Sequence, residues 1–160
     1  MSVSVQEADF DVAAEIQAIT GGRSDIGGLA VFIGLVRDLA ERSDGDPPGS
    51  MTLEHYPGMT ERQIEEIEAD AQARWPLIAT RVVHRVGRLE AGDRIVLVIA
   101  ASAHRAAAFD ACQFLIDWLK TKAPFWKLEQ AGDAPGRWVD ARSSDEEAAA
   151  RWQAAPAAPD

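Results

Sequence analysis

The segments TRVVHRVG (Thr80–Gly87) and RIVLVIAAS (Arg94–Ser102) both read as strands, and only residues 88–93 separate them. A parallel pair needs a crossover of about a dozen residues or more, so a turn this short favours antiparallel pairing. FWKLEQ (Phe125–Gln130) and RWVDARS (Arg137–Ser143) resemble two more short strands around a Gly132–Gly136 turn. Val3 and Val5 alternate with polar residues, GGLAVFIGLVR (Gly27–Arg37) is apolar and bounded by glycine, and MTLEHY (Met51–Tyr56) alternates. Between these strands the period changes to that of helices. DVAAEIQAI (Asp11–Ile19) is a short helix stopped by Gly21 and Gly22. Thr60–Trp75 carries Ile64, Ile67, Ala71 and Trp75 on one stripe, with Thr60 and Gln63 as a capping box. A longer helix runs from about Ala103 to Lys122, capped by Ser102, with Phe109, Cys112, Ile116 and Leu119 spaced for burial and Pro124 ending it. Ser143 and Glu146 open a last short helix. The expected fold is a single α+β domain over residues 1–152, a largely antiparallel sheet with interspersed helices. DLAERSDGDPPGS predicts a mobile loop at about 38–50, and residues 153–160 a disordered tail.

The chain carries a formal charge of −10, which argues against a nucleic-acid surface built to neutralise phosphates. Its basic residues are unevenly spread. Residues 78–127 hold eight of the sixteen but only four of the 26 acids, which suits a small anion or the acidic tail of a partner. The single Cys112 has no partner in its own chain and reads as a core thiol in a reducing compartment. The first twenty residues are unlike a secretory signal, and no apolar run approaches a bilayer span, so a cytoplasmic location is expected.

All three lysines, Lys120, Lys122 and Lys127, fall in KTKAPFWK, while thirteen arginines carry the other basic charge. A solvated surface can use either residue. Chemistry that needs an amine able to lose its proton cannot use arginine, whose guanidinium stays charged. Lys120 and Lys122 at a helix C-terminus complement its dipole, which does not account for Lys127 beyond Pro124. If Lys120 and Lys127 converge on one pocket, each disfavours protonation of the other; one then acts as nucleophile or general base while the other holds an anion. Phe125 and Trp126 between them read as core on one face, with stacking of an aromatic ligand on the other as the alternative. SAHR (Ser102–Arg105) puts His104 and Arg105 in a first helical turn, where an anion is favoured; a solvated arginine and a packed histidine is the blander alternative. Arg37 closes an apolar strand just before the loop. No pair of the three histidines has metal-ligand spacing, so no metal is expected, nor any cofactor.

LEHYPGM (Leu53–Met59), RWPL (Arg74–Leu77), SAHR, LKTKAPFWK (Leu119–Lys127) and RWVDAR (Arg137–Arg142), in this order, resemble the large, catalytic subunits of molybdopterin synthase. The similarity runs from about Gly27 to Trp152. The resemblance implies an α/β-hammerhead type of fold and a sulfur transferase that converts cyclic pyranopterin monophosphate to molybdopterin. The sulfur would come from the C-terminal Gly-Gly thiocarboxylate of a small ubiquitin-like subunit, in a heterotetramer built around a large-subunit dimer. By the same resemblance, Lys120 and Lys127 are catalytic, and Leu35, Val36, Arg37, His104, Arg105, Leu128, Glu129 and Arg142 bind substrate. Leu35 stands where the family often has lysine, so any contact made by that side chain is lost. A non-catalytic module that binds a phosphorylated heterocycle or a ubiquitin-like tail is the alternative.

One geometric expectation follows. A helix from Ala103 to about Lys120 is on the order of 25 Å long, so His104 and Lys120 cannot meet in one pocket of one chain. Both serve one substrate only if the start of this helix in one subunit approaches its end in another, across a two-fold interface.

Overall fold

The computed structural model describes residues 2–38, 44–45, 49–132, 134–140 and 142–153. Most of the loop expected at about 38–50, and the tail from 154 onward, lie outside the described residues.

Among the described residues eight strands form two four-stranded sheets. The first has the order β1-β4-β6-β2, from β1 (Val3–Gln6), β4 (Leu77–Arg85), β6 (Arg94–Ser102) and β2 (Gly28–Leu35). Only β1 and β4 run parallel; β4 with β6 and β2 with β6 are antiparallel, as the short turn between β4 and β6 demands. The second sheet, β5-β3-β7-β8, is antiparallel throughout and joins β5 (Gly87–Glu90), β3 (Ser50–His55), β7 (Phe125–Gln130) and β8 (Arg137–Val139). The mixed α+β architecture matches the expectation, with one element unforeseen. β5 occupies part of what the sequence presents as the β4–β6 turn, because Gly87 adopts φ +81° and redirects the chain onto β3.

Helices cover the first sheet on both faces, which explains why β6 is buried from Val96 to Ser102. Leu97 and Ile99 pack with Phe10, Ile16 and Ile19 beneath α1 (Val12–Thr20), whose N-cap Asp11 accepts from the Ala13 and Ala14 amides. Val96, Val98 and Ala100 point the other way, into a core with Ile64, Ile67 and Ala71 of α2 (Met59–Arg74) and Ala108, Ala111 and Leu115 of α3 (Arg105–Leu119). Each such fully buried large side chain contributes about 1.5–3 kcal/mol of transfer free energy.

Three local expectations are corrected. The N-cap of α2 is Gly58, whose N–H donates to the Glu61 carboxylate at 2.6 Å, whereas the Thr60 hydroxyl accepts from the Tyr56 amide. α3 begins at Arg105; Ser102 is instead buried at the end of β6, donating to the Pro76 carbonyl at 2.9 Å. Phe109, spaced for burial, is 64 % exposed: the covered face of α3 runs through Ala107, Ala108 and Ala111, and Phe109 falls on the outer face with Asp110 and Gln113.

Candidate active site

The end of α3 meets the junction of the two sheets, and a cavity of about 480 Å³ opens there. β2, β3, β4, β6, β7 and β8 each contribute to its wall. Successive strand residues face opposite ways, so Phe125, Lys127 and Glu129 of β7 point into the cavity while Trp126 and Leu128 point out. Lys120 enters from the other side as the C-cap of α3, held by its N–H to the Ile116 carbonyl at 3.1 Å. Two elements separated by Pro124 thus deliver two lysines to one volume.

Arg37, just past the end of β2, and Arg142, the N-cap of α4 (Ser143–Ala150), complete a basic set. Arg142 depends on how α4 is anchored. The buried Asp117 of α3 accepts from Arg151 at 2.6 Å and from the Trp152 indole at 2.7 Å, pinning the turn that follows α4. Trp152 also packs edge-on against Trp75 and Phe114.

The two lysines have different surroundings. Lys127 Nζ lies 2.8 Å from Glu129 Oε1, in a pair whose side chains are 31 % and 18 % exposed. Such a pair adds about 1 kcal/mol or less to stability, so its consequence is orientation: it fixes the Lys127 side chain beside Glu129. Lys120 has no carboxylate partner among the described residues. Lys122 stays out of the cavity, its ammonium 4.2 Å from the centre of the Trp118 ring.

Of the residues assigned to the site, Leu35, Arg37, Lys120, Lys127, Glu129 and Arg142 line this one cavity. Val36 and Leu128 do not. Val36 is buried with Met51, Leu53 and Leu89, and both its backbone groups are engaged, its N–H with Asp93 and its carbonyl with Gly92. Leu128 packs on the opposite face of β7, close to Gly136. His104 and Arg105 are exposed at the start of α3, about 24 Å from Lys120 along the helix axis. They are fixed to the start of β2, where a Cβ on Gly27 would lie 2.0 Å from the Ala103 carbonyl oxygen, so only glycine permits the approach.

One lining residue escaped sequence reasoning. His84 of β4 stacks on Phe125 with ring centres 3.8 Å apart, and its Nδ1–H donates to the Arg85 carbonyl at 2.8 Å, leaving the lone pair on Nε2. Burial, opposed by that hydrogen bond and reinforced by the Lys120 charge, pulls its pKa down to about 4. Its sequence offers no local signal, since Thr80, Arg81 and Arg85 are also polar residues of the same strand. Cys112 is inert by contrast: burial pushes its thiol up to about 11, and Sγ donates to the Val98 carbonyl at 3.9 Å.

His84 gives a pH-dependent stability of definite sign. Between about pH 6.5 and about 4 the unfolded chain binds a proton there that the folded chain does not, so stability is full above 6.5 and falls on acidification. At pH 5 the loss from this residue is about 2 kcal/mol relative to pH 8. Glu68, raised by burial, acts in the opposite sense. Urea unfolding of the protein and of His84→Gln at both pH values isolates the histidine: the variant should lack that part of the pH dependence, and an equal dependence in both proteins would contradict the assignment.

Known proteins share this sequence pattern and fold. A family model described as MoaE protein matches residues 5–122. A molybdopterin synthase catalytic subunit from Ralstonia nicotianae is 54 % identical over 151 residues, 94 % of this chain and 84 % of that protein. The structure of molybdopterin cofactor biosynthesis protein E from Burkholderia multivorans superposes with a TM-score of 0.79 at 49 % identity, over 96 % of this chain and 97 % of the other. The same fold, TM-score 0.70 at 18 % identity over 89 % and 93 % of the chains, occurs in a complex of subunits 1 and 2 of molybdopterin-converting factor from Helicobacter pylori.

Proposed function

The chain belongs to the MoaE protein family, and from that premise we propose how its cavity carries out the work of a molybdopterin synthase catalytic subunit. The enzyme transfers sulfur to cyclic pyranopterin monophosphate to form molybdopterin. The donor is the C-terminal thiocarboxylate of a small ubiquitin-like subunit, and each sulfur installed consumes one thiocarboxylate. A cavity of about 480 Å³ suits a small heterocycle, and Arg37, Arg142 and Lys127 offer cationic contacts to its phosphate or the partner's carboxylate, on a wall that also carries Asp38, Glu129, Asp140 and Asp145.

The observation that carries this reading is the unequal pair of lysines in one cavity. Lys127, held in place by Glu129, stabilises negative charge as the thiocarboxylate is consumed. Lys120, without a carboxylate partner among the described residues, supplies the amine that attacks or shuttles a proton. Leu35 brings no charge to the cavity, so anion binding on that wall falls to Arg37.

His104 and Arg105 join the site from a second copy of the chain. Support comes from β2, an edge strand that runs from the start of α3 at Gly28 to the cavity at Leu35. Val31 and Phe32 on this strand are 39 % and 37 % exposed, and Phe109 stands bare beside Arg105. Two such edges meeting antiparallel about a two-fold axis bring the Gly28 end of one copy to the Leu35 end of the other. His104 and Arg105 of each copy then approach the lysines of its partner. The resulting homodimer is the core of a heterotetramer. Among the described residues no helix is long and apolar enough to cross a membrane, and we place the enzyme in the cytoplasm.

Reconstitution tests the function directly. The chain, incubated with precursor and a thiocarboxylated carrier, should yield molybdopterin with consumption of two thiocarboxylates per product. Tight binding of both ligands without turnover would identify a binding module instead.

A further inference from the structure

The outer face of the second sheet carries a feature that the sulfur-transfer site does not use. Glu54 of β3 lies directly across from Trp126 of β7, and Trp138 of β8 lies across from Leu128 on the same face. Tyr56 meets Trp126 edge-on with ring centres 4.5 Å apart. Tyr56, Trp126 and Trp138 are 54 %, 41 % and 56 % exposed, and with Glu54 and His55 they line a cleft of about 290 Å³. Three exposed aromatic rings in one place are costly to leave in water unless they bind something. Glu54 has no ion-pair partner among the described residues, whereas His55 lies 3.9 Å from Glu61. Aromatic faces and an unpaired carboxylate around a cleft match one ligand chemistry, an alkylammonium or guanidinium group.

We propose that this cleft receives a lysine or arginine side chain of the small carrier subunit, a proposal that rests on the sulfur-transfer reading above. The argument for that occupant is charge and register. Trp126 and Lys127 are consecutive on β7 and point to opposite faces of the sheet, so a body gripped at Trp126 is held in fixed register with the cavity behind it. β8, only three residues long, forms the sheet edge between the two faces and among the described residues pairs only with β7. An extended tail passes from one face to the other around this short edge strand. The cleft thereby anchors the carrier's body while its tail enters the cavity beside Val139.

The test uses the assembled protein and two substitutions at exposed positions, Trp138→Ala and Glu54→Lys. Carrier binding is measured by calorimetry with the carboxylate form of the carrier, and turnover with a saturating thiocarboxylated carrier. Loss of a cation–π contact predicts a Kd raised about tenfold for Trp138→Ala, and more for Glu54→Lys, where the new charge repels the carrier's cation. The maximal rate and the KM for the precursor should stay within about twofold of the unmutated protein, since neither residue reaches the cavity. Unchanged carrier affinity in both variants, with thermal unfolding also unchanged, would overturn the proposal. So would a changed oligomeric state with carrier affinity intact, which would assign the cleft to contact between copies of this chain. Failure of the unmutated protein to turn over would sink the sulfur-transfer reading itself and is read separately.

Discussion

Replacing Lys120 with alanine is expected to lower the rate of molybdopterin formation by about 10³-fold or more, with the protein still folded. Lys120 caps α3 through its backbone, and its exposed side chain has no ion-pair partner among the described residues, so truncation leaves no buried charge behind. The decisive comparison is Lys120→Arg. Arginine restores positive charge and helix-dipole complementation but cannot supply a neutral amine at working pH. If Lys120 acts as nucleophile or base, the arginine variant is as slow as the alanine variant; if it only holds an anion, arginine recovers most of the rate. Single-turnover assays with saturating precursor separate that rate from binding, and a thermal melt shows whether the fold survives. Lys127→Ala is a less clean experiment because it strands Glu129, which is largely buried, without its cation.

The second large effect belongs to a residue about 24 Å from Lys120 in its own chain. Arg105→Ala is expected to raise the KM for precursor about 10²-fold, the loss of one charge-assisted contact to a phosphate, with a smaller change in the maximal rate. Arg105 is exposed at the start of α3, so its removal should leave the melting temperature of the chain unchanged. A kinetic penalty from a position that faces solvent in the monomer has one physical source, a cavity belonging to another copy.

The sequence carried the strands and helices well because burial in this fold follows simple periods. β6 is buried on both faces and reads as an unbroken apolar run, and α2 shows one stripe against the sheet. The errors arose where long-range contacts overrode local preference. Ser102 is a good capping residue by type, and its hydroxyl does accept from the His104 amide at 3.4 Å, but it also donates to Pro76 of another segment and ends β6, so α3 starts only at Arg105. Phe109 keeps the spacing of the α3 stripe, but the face that packs is the one carrying Ala107, Ala108 and Ala111, which leaves Phe109 outside. β5 was hidden because its partner β3 is distant in sequence. For the site, restriction of lysine to eight residues pointed to Lys120 and Lys127, and both reach the cavity. His84 went unnoticed because nothing local distinguishes a strand histidine that stacks on Phe125 from one that faces solvent. Trp126 shows the opposite limit: strand alternation fixes that it opposes Phe125, but only the register with β3 and β8 shows the aromatic cleft it helps to build.

The account depends on a lysine cavity in one protomer being completed by the start of α3 in its partner. Co-expression of Lys120→Ala and Arg105→Ala chains with different tags, and isolation of the mixed dimer, measures this directly. A composite site leaves one of the two cavities in that dimer intact, so at precursor concentrations well below the raised KM of Arg105→Ala its activity should be about half that of the unmutated dimer, although each parent is nearly inactive under those conditions. A mixed dimer no more active than its parents would contradict the account.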